Sequence, residues 1–316
     1  MFAAQYAYLL EGARIKARTR YLPFDRCDCF VIWASARASS ALCATQLGDP
    51  CLEPFIALMR RYCIEYVARH DFSQLEHLMV EDYVLRMGDH DLVGRDGPYA
   101  HATRIQMEQL PNLMLTTHEL VTNGERLAMR FSEHGAAPSR NGACASWGGI
   151  SLYRWNGNLL TECVVEQDYY ARRDQYARGV PDPVDSPAVA PWDVVAMPSS
   201  PSAEAAARDW LESGARAQGK VYFDDAWLPG RQNQELIDQN SIEVLDLFSA
   251  GDRVAFRAKQ IGTLTGDFSA GEAGKPVYMH MAGIVTVTDG AVVAGRLVRD
   301  RMGLDRRLRG RIVKTA

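Results

Sequence analysis

The chain has 316 residues, of which 47% are hydrophobic and 23% charged, and its formal net charge is −4. This composition is typical of a globular protein, and the length allows two domains that each bury their own core. An acidic balance disfavours nucleic acid and anionic membranes as partners, since both attract basic surfaces. No apolar run approaches the roughly 20 residues needed to span a bilayer, and no convincing secretion signal precedes the first domain, so we expect a cytoplasmic protein.

The chain contains seven cysteines, an odd number, and they are scattered along the sequence. Cys27 and Cys29 have the wrong spacing for a zinc knuckle, and no second pair matches them. The cysteines are therefore predicted to be reduced thiols. Motifs of the phosphate-loop, dinucleotide-binding, zinc-protease and serine-hydrolase classes are absent from the sequence, so no cofactor and no metal are predicted.

In chain order, residues 1–50 show no sustained helical or strand period and are predicted to be a mobile leader. The first domain is predicted over residues 51–176. It opens with an amphipathic helix, whose inward face carries Phe55, Leu58, Met59, Tyr62, Tyr66 and Val67. Asp71 is expected to cap a short second helix, a strand follows at 83–87, and Pro98 is expected to begin a third helix that ends at Leu110.

From residue 113 to residue 168 the pattern predicts β-hairpins. The sequence of one of these hairpins is repeated later in the chain. Residues 119–130 read ELVTNGERLAMR, and residues 246–257 read DLFSAGDRVAFR. A second hairpin follows each at a matching distance, turning at Asn156-Gly157 and at Asp289-Gly290. Asn-Gly and Asp-Gly suit the type I′ turn. The repeat predicts two copies of an α+β domain built on a curved antiparallel sheet.

Residues 177–202 are predicted to be a proline-rich linker, stiff and extended, with Trp192 and the Val194-Val195 pair docked on a domain surface. The second domain is predicted over 203–310. It opens with one helix at 203–217, and the paired helices of the first copy are not clearly repeated. The basic end of the chain, from residue 301 onward, is predicted to be a solvated helix end rather than a surface for an acidic partner.

The order of helix pair, strand, third helix and long hairpins resembles the NTF2-like, or ketosteroid-isomerase-like, cone fold. Within that group the chain resembles the SnoaL-like polyketide cyclases. The motifs are GDRVAFR at 251–257, GTLTG at 262–266 and RDRMGL at 299–304, with NGERLAMR at 123–130 in the first copy. The resemblance implies two NTF2-like cone domains, each a curved antiparallel sheet with helices packed on its concave face.

The chain departs from the family pattern at several positions. The family often has histidine within a GTHxG motif, and that position is Leu264 in the second copy and Ala137 in the first. Members often carry Glu early in the last strand and Asp at its end. The first copy has both, Glu162 and Asp168, whereas the second keeps only Asp300. The resemblance therefore favours the first copy as the working domain and the second as a degenerate one.

Side chains alternate along a strand, so Glu162, Glu166 and Asp168 share one side. If that side faces the mouth of the cone, apolar walls would raise a carboxyl pKa, and the group could move a proton next to a carbonyl. Asp168 stands where the resemblance implies the cyclase acid/base and is our first choice. The alternative, a solvent-facing strand or a dimer contact, is preferred for Glu166.

The remaining candidates are less specific. His90, in a polar loop after the first strand, is predicted as a second proton carrier, and Glu162 and Tyr66 complete the catalytic set. The predicted substrate-binding residues are Tyr62, Tyr83, His118 and Trp147. For each of these an ordinary role in packing or on the surface is the competing interpretation. His134 and, in the second copy, Asp300 and His280 are lesser candidates.

Two functions from different classes follow. The first is a cofactor-free acid/base enzyme acting on a hydrophobic, carbonyl-bearing small molecule by isomerisation, ring closure, dehydration or epoxide opening. The second is a non-catalytic small-molecule-binding or dimerising module, whose cone is filled by Met, Leu and Tyr side chains. A weaker third, an epoxide hydrolase, would need Arg130 between Glu162 and Asp168. The two copies are expected to form a pseudo-dimer, and a homo-oligomer is compatible with either function.

Overall fold

The computed structural model of the chain describes residues 52–215, 219–223 and 234–310. The predicted leader and the first four cysteines lie outside these ranges. The α-helices are α1 Pro54–Arg61, α2 Leu75–Leu78, α3 Ala100–Gln109, α4 Tyr169–Arg178, α5 Pro201–Glu212 and α6 Arg301–Leu308. The strands are β1 Met79–Met87, β2 His90–Val93, β3 Met114–Thr122, β4 Arg126–Ala137, β5 Ala143–Trp155, β6 Leu160–Gln167, β7 Lys220–Phe223, β8 Ile237–Ala250, β9 Arg253–Leu264, β10 Pro276–Thr288 and β11 Ala291–Arg299.

The strands of the described residues form two sheets, in the orders β2-β1-β6-β5-β4-β3 and β7-β11-β10-β9-β8. We call the first sheet with α1 to α4 the first domain, and the second sheet with α5 and α6 the second domain. The predicted α+β class and the hairpins are confirmed. The sheets are mixed rather than purely antiparallel, because β1 runs parallel to β6 and β7 runs parallel to β11. These pairs join strands far apart in sequence, so no local turn signal marks them.

The start of the first domain follows the sequence closely. Pro54 opens α1, where the Glu53 carboxylate accepts a hydrogen bond from the Ile56 amide at 2.8 Å. The predicted helix continues as a π-helical turn over Tyr62–Val67. Asp71 caps the next turn through the Ser73 amide, as predicted. The third helix begins earlier than expected, since Pro98 lies inside a π-helical turn at Arg95–Tyr99 that precedes α3.

The hairpin turns are present but differ in geometry. Asp289 and Gly290 both have positive φ, +50° and +74°, as a type I′ turn requires. At Asn123-Gly124 only the glycine does, with φ +89°. There the Asn123 side chain accepts hydrogen bonds from the amides of Glu125 and Arg126. A side-chain turn of this kind replaces the positive φ that the prediction gave to the asparagine.

Helix α4 was missed in the sequence, and α6 was expected only as a solvated helix end. Helices α4 and α6 follow directly on the last strand of each sheet, and Asp168 and Asp300 are their N-caps. The basic end of the chain is not a solvated helix end, because Arg301, Leu304 and Asp305 of α6 are buried. The Arg173 guanidinium of α4 donates to Asp305 at 2.6 Å. Helix α6 is therefore held against the first domain.

The connection between the domains has no regular secondary structure over residues 179–200. It runs beside β3, where the Ala188 amide donates to the Thr117 carbonyl and the Met197 amide donates to the Thr122 carbonyl, both at 3.0 Å. Trp192 and Val194 pack against the core of the first domain, as predicted, whereas Val195 is exposed. The linker is thus docked along the edge of the first sheet.

Each sheet has a helix-covered face, and the opposite faces of the two sheets pack on each other. The shared core combines small and branched residues of both sheets: Val121, Ala128, Ile150, Leu152, Phe248, Ala250, Ala255, Ala282, Ile284 and Val298. Two ion pairs flank it reciprocally, Arg126 with Asp246 at 2.5 Å and Arg253 with Glu119. These residues occupy matching positions of the repeated hairpin. None of the helices in the described part of the chain has the length and apolar character needed to cross a membrane.

Candidate functional site

A cavity of about 470 Å³ lies between the two domains. The first domain contributes the β1–β2 turn and the end of β6, and the second contributes β10 and the start of α6. The apolar part of its wall consists of Met87, Tyr169, Tyr278 and Met302. The polar part includes His90, Gln167, Asp300 and Arg306. This combination of apolar walls and a few convergent polar groups is typical of a small-molecule site.

Asp300 is the partly buried acid of this cavity. Its Oδ1 accepts a hydrogen bond from the Gly303 amide at 2.7 Å, which caps α6. Among the described residues, no group donates to Oδ2. Gly88 approaches so closely that a Cβ added to it would lie 2.9 Å from Oδ2. Burial raises the pKa of the Asp300 carboxyl, against the opposing effects of the Gly303 hydrogen bond and of Arg307.

An ion cluster closes one side of the cavity. Asp89 of the β1–β2 turn accepts from Arg307 at 2.7 Å and from the Tyr278 hydroxyl at 3.1 Å. The Arg307 guanidinium lies 4.1 Å from the centre of the Tyr278 ring. His280 Nδ1 is 3.8 Å from Asp89, and burial together with Arg257 lowers the pKa of His280 to about 4. His280 is therefore neutral near pH 7 and joins the cluster without a charge.

Asp168, the first choice from the sequence, has a different environment. Arg301 of α6 donates to both of its carboxylate oxygens, from Nε to Oδ1 at 3.2 Å and from Nη2 to Oδ2. Oδ1 also caps α4 through the Ala171 amide at 3.2 Å. Both side chains of the ion pair are buried, at 8% and 6% exposure. This geometry favours a structural role for Asp168, and its catalytic role stays a prediction.

The side of β6 that carries Glu162 and Glu166 does not face a cone, and Asp168 lies beyond the end of β6. Ile150 pairs with Glu166 and Leu152 pairs with Val164 across β5 and β6, and both β5 residues belong to the core between the sheets. The orientation assumed in the sequence analysis is therefore wrong. Glu166 accepts from Arg257 of the second domain at 2.7 Å, and burial raises the pKa of its carboxyl to about 8 despite that cation. Its preferred alternative, an interface contact, matches this position.

Glu162 and Tyr66 also lie away from the cavity wall. Glu162 is bound between Arg86 at 2.8 Å and Arg154 at 2.9 Å. Tyr66 is 1% exposed, and its hydroxyl donates to Thr103 Oγ1 at 3.0 Å. It belongs to a group of tyrosines that fills the space between the first sheet and its helices: Tyr62, Tyr66, Tyr83, Tyr99 and Tyr153. Burial raises the pKa of each of these hydroxyls.

Among the predicted residues, His90 lines the cavity itself. Trp147 is fully enclosed behind the wall, and its indole N–H donates to Gln167 Oε1 at 2.8 Å. His118 lies elsewhere, between the Ser186 carbonyl at 3.0 Å and the Ser132 hydroxyl at 2.9 Å. Burial lowers the pKa of His118. The sequence candidates thus separate into a cavity group, a core group and a linker contact.

The sequence analysis did not consider Glu133. It lies on the helix-covered face of β4, 8% exposed, and accepts from Gln106 Nε2 at 2.9 Å. Burial raises the pKa of its carboxyl to about 7. A signal was present in the sequence, because Leu127, Met129 and Phe131 alternate along β4 and Glu133 takes the next position on the same apolar side.

Two further observations concern metal binding and epoxide hydrolysis. Within residues 52–215, 219–223 and 234–310, no group of three or more His, Cys, Asp and Glu side chains could hold a metal ion. The trio considered for an epoxide hydrolase is not assembled, since Arg130 pairs with Asp185 at 3.1 Å while Glu162 and Asp168 are bound by other arginines.

Two family models match this chain, one in each domain. A SnoaL-like domain family matches residues 59–163, and the SnoaL-like polyketide cyclase family matches residues 204–308. A proposed SnoaL-like polyketide cyclase from Jannaschia sp. CCS1 is 13% identical over 42% of this chain and 98% of its own, with a TM-score of 0.37. TsrD from Streptomyces laurentii is 20% identical over 39% and 94%, with a TM-score of 0.35. An LEH-like epoxide hydrolase from M. tuberculosis is 13% identical over 42% and 91%, with a TM-score of 0.35. No curated protein matches the chain.

Proposed function

Because the chain belongs to the SnoaL-like family through both of its domains, we propose that it is a cofactor-free acid/base enzyme acting on a hydrophobic, carbonyl-bearing small molecule. The proposed substrate site is the cavity between the domains, and the proposed proton carrier is Asp300. The supporting observation is the partly buried Asp300 carboxyl, which lines this cavity and whose Oδ2 has no donor among the described residues. The volume of about 470 Å³ lies within the range of small-molecule sites.

The chemistry follows from how Asp300 is held. The Gly303 amide and the start of α6 fix Oδ1, so Oδ2 is the oxygen left to exchange a proton with a ligand. Burial raises the carboxyl pKa, which makes the group a stronger base once ionised and a proton donor at higher pH. Abstraction of a proton next to a carbonyl, followed by its return elsewhere, would give isomerisation, ring closure or dehydration.

Other lining residues have supporting roles in this proposal. Met87, Met302 and the Tyr278 ring supply apolar surface for a ring system. His90 lies on the same wall and supplies an imidazole that can donate a hydrogen bond to a ligand or accept one from it. The first domain would thus contribute binding and one proton carrier, while the second contributes the principal acid.

The proposal is tested with matched variants. Aromatic polyketides, steroid enones and terpenoid epoxides are screened by thermal shift, and turnover of each ligand found is followed chromatographically. Asp300→Asn should lower kcat by at least about 100-fold, because loss of a general acid/base removes this much. It should remain as stable as the parent, since asparagine caps a helix as well as aspartate does.

Asp168→Asn is the control. It should keep kcat within about threefold but lose about 3 kcal/mol of unfolding free energy, because a buried Arg301 would be left without its carboxylate. The opposite pattern, an inactive Asp168 variant beside a fully active Asp300 variant, would instead assign the catalytic acid/base role to Asp168.

One observation favours the alternative, a non-catalytic binding or dimerising module. Five tyrosines fill the space beneath the helices of the first domain, as this alternative expects of a cone plugged by side chains. A module of that kind would bind a screened ligand and return it unchanged, with equal affinity in the parent and in Asp300→Asn. Formation of any product that depends on Asp300 excludes it.

A further inference from the structure

One glycine of the cavity wall is bound by a buried ion pair that joins the two domains. Gly88 lies in the β1–β2 turn, directly after the last residue of β1. Its amide donates a hydrogen bond to Glu166 Oε1 at 3.2 Å, and its carbonyl accepts one from Arg257 Nη2 at 2.6 Å. Arg257 Nε donates to the same Oε1 at 2.7 Å. Three hydrogen bonds thus form a closed ring of Glu166, Arg257 and Gly88, which we call the Gly88 ring.

The register of the first sheet brings Glu166 to this glycine. Strand β1 runs parallel to β6, and Arg86 pairs with Val164. Continuing that register by two residues places Gly88 beside Glu166. Arg257 belongs to β9 of the second sheet, so the ring is complete only where the two sheets pack on each other. The β1–β2 turn is therefore bound to both domains at a single residue.

The ion pair does more than join the domains. Both of its side chains are removed from solvent, with 0% of Glu166 and 7% of Arg257 exposed. An ion pair alone would use only the bond between these two side chains. Here a second nitrogen of Arg257 and the same oxygen of Glu166 bind the backbone of one residue. Glu166 Oε2 is buried and has no hydrogen-bond partner among the described residues, so Oε1 forms all the bonds that hold Gly88 on this side.

Gly88 in turn lies against the Asp300 carboxyl. Its φ is +53°, and a Cβ built on it would be 2.9 Å from Asp300 Oδ2. The other oxygen, Oδ1, is held by the Gly303 amide at 2.7 Å. The ring thus fixes the backbone on one side of Oδ2, while the start of α6 fixes the carboxyl itself. Displacement of a catalytic group by about 1 Å can lower a rate by about 100-fold, so the position of this turn matters for proton transfer.

The matching position of the repeat has no such ring. Arg130 and Arg257 end the two repeated hairpin sequences, and they are 8% and 6% exposed. Two strands across from these arginines, in the same row of each sheet, stand Glu166 in the first domain and Val298 in the second. Arg130 pairs with Asp185 of the linker at 3.1 Å. Arg130 is therefore a control for Arg257 that matches it in sequence position and in burial.

We propose that Glu166 and Arg257 are positioning residues, which hold the β1–β2 turn so that Gly88 packs against Asp300 Oδ2 in the interdomain cavity. This inference rests on Asp300 being the proton carrier proposed above. Opening the ring would let the turn move and water reach Oδ2. Because each domain supplies one of the two residues, the geometry around Asp300 depends on the contact between the domains.

The first test needs no ligand, because the sequence supplies two reporters. It contains two Met-Gly pairs, Met87-Gly88 and Met302-Gly303. A full chain labelled with ¹³C at the methionine carbonyl and with ¹⁵N at glycine therefore gives two signals in a carbonyl-filtered amide spectrum. One signal reports the amide bound to Glu166, and the other reports the amide bound to Asp300. Hydrogen exchange is then measured at both amides in one sample.

Two variants, Glu166→Leu and Arg257→Met, open the ring. In both, the Gly88 amide should exchange about tenfold faster than in the parent, which corresponds to one hydrogen bond. The Gly303 amide should exchange as in the parent, because its acceptor is not part of the ring. Glu166→Gln should keep the slow exchange of Gly88, since its amide oxygen can accept both hydrogen bonds. Arg130→Met should keep it as well.

The second test measures turnover of the same aromatic polyketides, steroid enones and terpenoid epoxides. In Glu166→Leu and Arg257→Met, kcat should fall by at least about tenfold, because the turn no longer holds its place at Asp300. KM should change by less than about threefold, since the apolar surface of Tyr278 and Met302 belongs to the second domain and stays in place. Glu166→Gln should restore the kcat of the parent.

The outcomes separate the two proposals. Unchanged Gly88 exchange in both ring-opening variants overturns this inference. Equal acceleration at Gly88 and Gly303 also overturns it, because it reports general unfolding. Faster Gly88 exchange with an unchanged kcat would show that the ring does not act on Asp300, and this too overturns it. Loss of turnover in Asp300→Asn, beside a normal kcat in both ring-opening variants, leaves the proposed function standing without this inference.

Discussion

The same position of the repeat is used in two ways. Asp168 and Asp300 each follow the last strand of a sheet, and each caps the helix that comes next. Yet Asp168 is bound on both oxygens by Arg301, while Asp300 keeps Oδ2 toward a cavity. The difference arises one residue further on. Arg301 follows Asp300 in the sequence and binds Asp168. At the matching position after Asp168 stands Tyr169, which is uncharged and cannot form a reciprocal ion pair with Asp300.

This comparison changes what the family motif means for each copy. The motif ranked the first copy as working and the second as degenerate, because only the first has both acids. In the structure the cavity draws His90, Gln167 and Tyr169 from the first domain and Asp300 from the second. The cavity therefore does not lie within the copy that carries both acids of the motif. The proposed site requires both copies.

Breaking the Arg301–Asp168 pair should have the largest effect on stability. Arg301→Met leaves a buried carboxylate without its cation and should lower the free energy of unfolding by about 3 kcal/mol. Urea denaturation measures this loss. Combining it with Asp168→Asn should cost little more than either single variant, since both remove the same interaction. Additive losses would show that the two side chains act independently.

The approach of Gly88 to Asp300 gives the next largest effect. Gly88 has φ +53°, and a Cβ there would lie 2.9 Å from Oδ2. Gly157 is a matched control, with φ +90° and no atom within 4 Å of its added Cβ. Both alanine variants suffer backbone strain, but Gly88→Ala should lose a further ~2 kcal/mol from crowding. Equal losses in thermal or urea unfolding would mean that the Asp300 carboxyl moves aside freely.

The reciprocal ion pairs provide the smallest test. Asp246 is 8% exposed and is bound by two arginines, Arg126 at 2.5 Å and Arg154 at 3.0 Å. Glu119 is 26% exposed and pairs with Arg253. Asp246→Asn should therefore destabilise the protein by ~1 kcal/mol more than Glu119→Gln, because exposed pairs contribute little. A larger loss for Glu119→Gln would show that burial does not determine how much each of the two ion pairs contributes to stability.

Local signals in the sequence predicted most of the fold. Hydrophobic periodicity predicted α1, and turn residues predicted the hairpins. The parallel pairing of β1 with β6 was missed because it depends on strands about 80 residues apart, which no turn specifies. Helix α4 was missed, and the burial of α6 was not expected, because arginines and tyrosines interrupt the apolar period of both helices.

The site was harder to predict than the fold. Strand alternation grouped Glu162 and Glu166 on one side, but Asp168 lies outside β6, and alternation alone does not say which side meets the other domain. That side is determined by Ile150 and Leu152, which pack against the second sheet. The cavity lies between the copies, so a reading of either copy by itself could not locate it.

The linker has a consequence for how molecules of this protein meet one another. By bonding to the carbonyls of Thr117 and Thr122, it occupies polar groups on the outer strand of the first sheet. An open outer strand invites strand addition by a neighbouring chain and thus aggregation. The prolines of residues 181–201 lack the amide hydrogen needed to extend a ladder further. The linker that joins the two domains therefore also hinders strand addition by another molecule at this edge of the sheet.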